Sequence, residues 1–392
     1  MNDSFDPEDA HRASMAREAD IGAFAHLYTD PPRPTDGPLA GLTAGIKDVI
    51  ETADAPTALG SVHYRGRQTG RDAAVVTALR RAGATLIGKT TTAEFAYRDA
   101  PNTRNPLDLE RTPGGSSSGS AAAVAAGMVD FALATQTGGS TIRPAAYCGV
   151  VGYKPTFGVV STAGVMQLAA SFDTVGVIAR DVTTVARVAE VVAGLPPLSI
   201  PAEPPQVGVL GAATLQRCEA ETLEALRLVE EAITAAGGEL TEVAVDLDRL
   251  RELHGVINAY EGARSLAGDA DHARPNNVEL IGRGRALSVT EYIAAVRELE
   301  DLRPIVDATL AQVDVLIGPA TLGWPPLGLT KTGDASYCQP WSAARVPAIT
   351  VPIRPFAEKL PVGVQLVAPR WADAELLGWA GWLESVRSSP QP

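Results

Sequence analysis

Three segments of the chain carry residue types that could act together in one reaction. Lys47 ends an apolar run, and two segments rich in glycine and serine follow it, at 112–120 and 136–145. A lysine buried at a strand end loses hydration, which lowers its pKa and can leave it a neutral base. Such a base could activate a serine, and glycine-rich loops can aim several backbone N–H groups at one oxyanion. These residues predict a serine hydrolase with a lysine base; the alternative is that the loops are plain turns and Lys47 is a surface cation.

Other motifs in the chain match the sequence patterns of different active sites. The residues around them do not have the structural features that those sites need. The letters of Gly83–Thr90 match a phosphate-binding loop, yet the residues between the two glycines are typical of a strand. The pattern GxSxG occurs at 115–119, but inside a polar run and not at a sharp turn between apolar residues. None of the five histidines belongs to an HExxH motif or an i, i+4 pair, so no metal site is predicted. His63 is the candidate base that stays open in the N-terminal half.

Taken together and in this order, the three segments resemble the amidase signature family. The matching stretches are 37–174, 314–319 and 360–367. The resemblance implies that Lys47 is the catalytic base, that Ser116 is a bridging serine after a cis peptide bond, and that Ser140 is the acyl-forming nucleophile. It also implies a reaction that needs no metal or organic cofactor. The oxyanion hole that it implies consists of the backbone N–H groups of Thr137, Gly138, Gly139 and Ser140.

Two departures from the common family pattern bear on the substrate. Gln136 stands where the usual loop has an aspartate, and Arg143 follows the nucleophile by three positions instead of two. The second variant resembles malonamidase, which implies that Arg143 grips a substrate carboxylate, a group that guanidinium binds in a bidentate manner. Gln136 and Arg143 are therefore the predicted substrate-binding residues. The predicted substrate is a small carboxylate-bearing amide, malonamate-like or a ureido acid; the alternative is that Arg143 pairs with a protein carboxylate and only holds the loop.

Three other functions stay open at this level. The chain could be a broad-specificity amidase for neutral or aryl amides, a glutaminase-type subunit of an amidotransferase, or a scaffold that has lost activity. The joint presence of Lys47, Ser116 and Ser140 argues against the scaffold. The resemblance also suggests further residues near the site, with Asp173 orienting loops and the acyl pocket lined by Tyr337, Gln339 and Trp341.

The elements that must position these residues alternate between strands and helices. Apolar runs predict strands at 39–46, 84–87, 131–135, 207–210, 315–317, 348–351 and 362–367. Helical periodicity predicts helices at 72–82, 91–97, 121–127, 219–236 and 373–387, with 245–310 mostly helical. The alternation predicts an α/β fold: a single large domain whose mixed, mostly parallel β-sheet core is covered by helices on both faces.

The predicted organisation begins with an N-terminal arm and linker at 1–36, followed by an amidase domain at 37–392. Within that domain we expect a signature core over 37–200, a more variable helical part over 205–310, and C-terminal strands and a helix over 311–388. Cys148 lies in an apolar run, where packing is its expected role.

Composition excludes several classes of protein. The 33 lysines and arginines against 46 aspartates and glutamates give a net charge of −13, which disfavours nucleic acid or an anionic membrane as partner. The three widely spaced cysteines form no CxxC pair, which argues against a disulfide scaffold or a zinc knuckle. An acidic N-terminus and the lack of a long apolar run predict a cytoplasmic protein. The expected partners are a small-molecule amide and a second copy of the chain, as a homodimer.

Overall fold

The computed structural model describes residues 16–31, 35–354 and 360–388, and most of the predicted N-terminal arm lies outside these ranges. The strands of the described chain are β1 (Phe24–Leu27), β2 (Thr43–Lys47), β3 (Thr85–Thr90), β4 (Phe131–Gln136), β5 (Val151–Lys154), β6 (Thr174–Ala179), β7 (Gln206–Leu210), β8 (Glu239–Val243), β9 (Val315–Pro319), β10 (Ala348–Ile353) and β11 (Val362–Val367). They form one sheet in the order β1-β3-β2-β4-β6-β5-β10-β11-β9-β7-β8. The first of them, β1, comes from the segment predicted as arm and linker.

The helices connect these strands and cover the sheet. They are α1 (16–21), α2 (Ala74–Arg81), α3 (Ser118–Ala125), α4 (Ile142–Cys148), α5 (Val182–Ala193), α6 (Ala220–Ala235), α7 (Leu247–Ser265), α8 (Pro275–Ala286), α9 (Val289–Leu310), α10 (Gln339–Ala343) and α11 (Asp373–Ser388). The strands β2, β3, β4, β5, β6, β9 and β11 are buried at every residue. Strands without an exposed face need helices on both sides, so the predicted α/β single-domain fold is confirmed.

The direction of the strands corrects one part of the prediction. In the described residues, four strand pairs are parallel and six are antiparallel, so the sheet is mixed but not mostly parallel. The parallel pairs lie towards the ends, in β3-β2-β4 and β9-β7-β8, and the central pairs are antiparallel. The alternation of strands and helices in the sequence does not fix direction, because a helix can also connect antiparallel strands.

Two local predictions have different outcomes. The segment 91–97 is not a helix: it contains one 3₁₀ turn at Glu94–Ala96, and positive φ angles at Phe95 and Ala96 prevent the turn from continuing. The interpretation of Gly83–Thr90 as a helix–turn–strand junction is confirmed. Gly83, with φ of +87°, makes the turn between α2 and β3, and the residues that imitate a phosphate loop lie in β3.

The region that sequence periodicity marked as mostly helical forms α7, α8 and α9. Helix α9 starts with a capping box in which Ser288 accepts from the backbone of Glu291 and the Glu291 side chain reaches back. Helix α7 packs against α8, α9 and α10. Among the helices that the structure describes, none combines the length and apolar character that crossing a bilayer requires.

Candidate active site

The carboxyl ends of two neighbouring parallel strands bring the first and third sequence segments together. Strand β2 pairs with β4 in parallel, with Ile46 opposite Leu133, so Lys47 and Gln136 end their strands at the same edge of the sheet. Parallel strands place their carboxyl ends at one edge, where open α/β sheets usually bind ligands. The second segment leads into α3 and includes its first three residues, and α3 packs on β4.

Lys47 is fully buried, and its ammonium nitrogen has three polar neighbours. Its Nζ lies 2.8 Å from Ser116 Oγ, 2.7 Å from Thr135 Oγ1 and 3.3 Å from the Thr135 carbonyl oxygen. Burial lowers the pKa of Lys47 well below its ordinary value, and the charge of Asp173 opposes part of this shift. The alternative of a surface cation does not fit these contacts.

Buried side-chain contacts fix the conformation of the serine-rich segment at 112–120. The Gly115–Ser116 peptide bond is cis, and Ser116 is completely buried beside Lys47. The hydroxyl of Ser118 donates to the Gly114 carbonyl at 2.6 Å, and Ser120 lies 2.7 Å from the hydroxyl of Thr90 in β3. These hydroxyl contacts hold the loop against the sheet at the point where Lys47 ends its strand.

The loop between β4 and α4 contains Ser140 and four consecutive backbone N–H groups. Among the hydrogen bonds of the described residues, none is donated by the N–H groups of 137–140, so these donors stay available. Ser140 is 8% exposed and lies on the wall of a cavity of ≈50 Å³. This inner cavity is lined by Ala96, Tyr97, Arg98, Thr137, Gly138, Gly139, Ser140, Arg143, Leu168, His254, Asn258, Ala335 and Gln339.

Thr137 is held from two sides by side chains that lie far from it in the sequence. His254 Nε2 is 2.9 Å from the Thr137 carbonyl oxygen, and Asp173 accepts a hydrogen bond from the Thr137 hydroxyl. Asp173 also accepts from the backbone N–H groups of Leu168 and Ala169. Burial raises the pKa of Asp173 to about 6 and lowers the pKa of His254 to about 4.

Gln136 has a different position from the one predicted for a substrate-binding residue. Its Oε1 accepts from the backbone N–H groups of Thr141 and Ile142, at 3.0 and 3.1 Å, and its Nε2 donates to Ser342 Oγ at 3.1 Å. Both ends of the amide are therefore engaged by the protein, and Gln136 does not line the inner cavity. Its contacts hold the start of α4 and the loop that carries Ser140.

Arg143 is buried on α4 and lines the inner cavity. Its Nη2 donates to the Gly115 carbonyl at 2.6 Å, and its Nε has no hydrogen-bond partner. In the part of the chain that the structure describes, no carboxylate forms an ion pair with Arg143. Burial lowers the pKa of Arg143, with a smaller opposing contribution from the ring of Tyr147.

A second cavity, of ≈500 Å³, adjoins the first and shares Arg98, Arg143, Ala335 and Gln339 with it. This outer cavity has five cationic side chains on its wall and one carboxylate. The cations are Arg98, Arg143, Arg217, Arg251 and Lys331, and the carboxylate, Asp334, lies 3.2 Å from Arg217. The local excess of positive charge contrasts with the net charge of −13 of the whole chain.

Several residues singled out from the sequence take other places. Gln339 lines both cavities, whereas Tyr337 and Trp341 do not; the Tyr337 hydroxyl donates to the Thr214 carbonyl. His63 stacks on His272 at 4.0 Å on the surface and lies outside both cavities. Cys148 is packed in the interior. No group of three or more His, Cys, Asp or Glu side chains in the described ranges could hold a metal ion.

The sequence did not indicate His254, Asn258 or Leu168 as site residues. His254 stands 117 positions after Thr137, and Asn258 follows one helical turn later on α7. Their spacing matches no motif, and each alone reads as an ordinary polar residue of a helix. The contact between α7 and the β4–α4 loop is what places them beside Ser140.

Comparison with known proteins agrees with this geometry. A family model described as Amidase matches residues 25–377. The chain belongs to the amidase signature family. Like other members, this amidase is an enzyme that hydrolyses an amide C–N bond.

Relatives of this amidase have more than one named role. It is 35% identical to the amidase-type subunit of glutamyl-tRNA(Gln) amidotransferase from Symbiobacterium thermophilum, over 88% of this chain and 83% of that protein. A crystal structure described as an amidase superposes with a TM-score of 0.87 and 30% identity, covering 96% of this chain and 94% of the other. A chain from a vestigial protein complex connected with the origins of an s-triazine catabolic enzyme superposes with a TM-score of 0.87, 28% identity and coverage of 96% and 93%.

Proposed function

We propose that this amidase cleaves small carboxylate-bearing amides, malonamate-like or ureido acids, through an acyl-enzyme on Ser140. Neutral Lys47 takes the proton of Ser116, which takes the proton of Ser140. The Ser140 oxygen bonds to the amide carbon, and the negative charge moves to the carbonyl oxygen, which the N–H groups of 137–140 stabilise. The C–N bond then breaks as the relay returns a proton to the leaving nitrogen, because an amide anion is a poor leaving group. Water releases the acid by the same route.

The main support for an acidic substrate is the environment of Arg143. A buried guanidinium without an ion pair is unfavourable, and residues of this kind are normally paired or bound to an anion. Its free Nε faces no protein acceptor, and it lies in the same cavity wall as Ser140. A substrate carboxylate would supply the missing charge and acceptor. Two of the five cations of the outer cavity, Arg217 and Arg251, are paired with protein carboxylates. The other three would raise the local concentration of anions despite the acidic chain.

The size of the site does not separate the substrate classes. The inner cavity, of ≈50 Å³, adjoins the outer cavity of ≈500 Å³, so a short acyl chain fits beside Ser140 and a larger group would extend into the outer cavity. The choice between small acidic amides and broad specificity therefore rests on Arg143 and not on the volume of the cavity.

A second candidate follows from the similarity to amidotransferase subunits: a glutaminase-type subunit that releases ammonia from glutamine. Glutamine also carries a carboxylate for Arg143. It differs from malonamate by two more chain carbons and by an ammonium group, which the cations of the outer cavity would repel, since Asp334 is already close to Arg217. This charge balance favours the simple acidic amides.

The test measures ammonia release from malonamate, succinamate, glutamine, a neutral aliphatic amide and an anilide, by wild type, Ser140→Ala, Arg143→Met and Arg143→Lys. We expect Ser140→Ala to be inactive on every substrate. Arg143→Met should lower kcat/KM for the acidic amides by about 100-fold, mainly through KM, and Arg143→Lys should restore part of it.

Acylation of Ser140 by the neutral ester 4-nitrophenyl acetate controls for an intact nucleophile in the Arg143 variants. Equal turnover of neutral and acidic amides, unaffected by Arg143→Met, would contradict the proposed substrate class. Release of ammonia from glutamine far above the other amides would favour the amidotransferase role.

Two expectations from the sequence stay predictions: a cytoplasmic location and a homodimer. The masses seen by light scattering at several concentrations would test the second. A mass that matches a single chain throughout would exclude the homodimer.

A further inference from the structure

Two residues on the wall of the inner cavity each carry a buried hydrogen-bond acceptor that no protein group satisfies. His254 Nδ1 and Asn258 Oδ1 both lack a partner, and both residues line the cavity that Ser140 opens into. His254 is 1% exposed and Asn258 is 9% exposed. They lie one helical turn apart on α7, so their side chains share one face of that helix.

The contacts of His254 fix which of its nitrogens can accept. Its Nε2 lies 2.9 Å from the Thr137 carbonyl oxygen, which can only accept, so Nε2 carries the hydrogen. Burial lowers the pKa of the ring to about 4, and the neutral ring keeps a lone pair on Nδ1. Stacking on Phe172, with ring centroids 4.5 Å apart, holds the plane of the imidazole.

A buried acceptor without a donor costs free energy, so such groups in a native cavity call for an explanation. The wall next to them supplies the opposite type of group, because Arg143 Nε is a donor without an acceptor. The residues of the cavity wall therefore carry a donor that suits a carboxylate together with two acceptors that suit N–H groups. A ligand that carries both features would satisfy all three orphaned atoms.

We propose that His254 Nδ1 and Asn258 Oδ1 accept hydrogen bonds from N–H groups of the substrate held at Ser140. The pair thereby selects substrates with N–H next to the scissile carbonyl over isosteres with CH₂ or oxygen at that position. This inference rests on the proposed function and deepens it. The N–H can belong to the acyl side, as in a ureido acid, or to the leaving nitrogen.

The experiment compares kcat/KM for two matched pairs of substrates in wild type and Asn258→Leu. The acyl-side pair is N-carbamoylglycine and succinamate, which differ by NH in place of CH₂. The leaving-group pair is succinamate and monomethyl succinate, which differ by NH₂ in place of OCH₃ and share the free carboxylate. Each ratio within a pair is compared between proteins, so the intrinsic reactivities of the substrates cancel.

We expect Asn258→Leu to lower the N–H preference by about 10-fold or more in at least one pair, and the pair that responds identifies the side that the acceptors contact. Gly255→Ala is the matched control on α7, because a Cβ there meets no atom within 4 Å, and it should leave both ratios unchanged. His254→Gln keeps a donor for Thr137 and an acceptor for the substrate, so it should retain more of the preference than His254→Leu.

Both ratios unchanged in Asn258→Leu, with acidic amides still cleaved, would overturn the inference and leave the proposed function standing. Failure of the wild type to release ammonia from any acidic amide would instead overturn the proposed function. Thermal melting of each variant checks that the fold is retained.

Discussion

The surroundings of Lys47 match the needs of a neutral amine. A neutral Nζ has two N–H groups and one lone pair, and it has three neighbours at hydrogen-bond distance. The two oxygens of Thr135 can take the N–H groups, which leaves the lone pair for the hydroxyl of Ser116. The same burial that lowers the pKa of Lys47 therefore also directs its lone pair to the proposed relay.

The pH dependence of the reaction should report on Lys47. The rate constant kcat/KM should fall as pH drops through the pKa of Lys47, because protonation removes the lone pair. Asp173 raises that pKa through its charge, so Asp173→Asn should move the acid limb to lower pH. The shift of the acid limb should be measured above pH 6, where Asp173 itself is ionised.

Asp301→Asn is the control for this measurement, since it removes a carboxylate that is exposed on α9. If Asp173→Asn acted only by loosening the contacts of Thr137, it would lower the maximum of the kcat/KM–pH profile. The pH of the acid limb would then stay the same. An acid limb at the same pH in wild type and Asp173→Asn would contradict the role given to the lysine.

At the scale of elements, the site is a junction between the β4–α4 loop and the chain around α10. Gly139 fits there because it lacks a side chain: an added Cβ would lie 3.0 Å from Cβ of both Ala335 and Cys338. Such a contact is too close for an ordinary packing distance, so the loop would have to shift. The four free N–H groups and Ser140 would move with it.

Gly139→Ala should therefore lower kcat by about 100-fold, comparable with the loss of one oxyanion donor, while KM changes less. Gly282→Ala is the matched control, because it lies inside α8 and its Cβ meets nothing within 4 Å. That variant should keep full activity and gain about 0.5–1 kcal/mol of free energy of unfolding in urea titrations. Full activity in Gly139→Ala would show that this loop does not hold the oxyanion.

At the scale of the whole molecule, the charge of the outer cavity opposes the charge of the chain. The net charge of −13 repels an anionic substrate at long range, whereas the cations around Arg143 attract it near the site. Such attraction between exposed charges is screened over about 8–10 Å at physiological salt. The combined effect of the net charge and of the local cations should appear in kcat/KM for an anionic substrate.

Lys331→Ser should lower kcat/KM for acidic amides several-fold at low ionic strength and leave neutral amides unchanged. The difference from wild type should shrink as salt is added. Arg297→Ser, which removes one exposed positive charge from α9, serves as the control for net charge alone. Equal effects of the two substitutions would mean that the outer cavity does not guide the substrate.

The local sequence was sufficient to locate segments whose conformation depends on near neighbours. Lys47 at the end of an apolar run, the loop before α3 and the loop after β4 are short segments whose composition limits their conformation. Long apolar runs, such as the one that forms β11, also predicted their strands well. Strand β8 was missed because four of its five residues are exposed, so it lacks the apolar pattern of a strand.

Tertiary structure decided what depends on contacts between distant segments. The direction of the central strands, the unpaired Nε of Arg143 and the cationic wall of the outer cavity each require several elements at once. The clearest case is His254, whose contact with Thr137 spans 117 positions. No periodicity or motif encodes such a contact, because only the packing of α7 against the β4–α4 loop buries the histidine and leaves its second nitrogen without a partner.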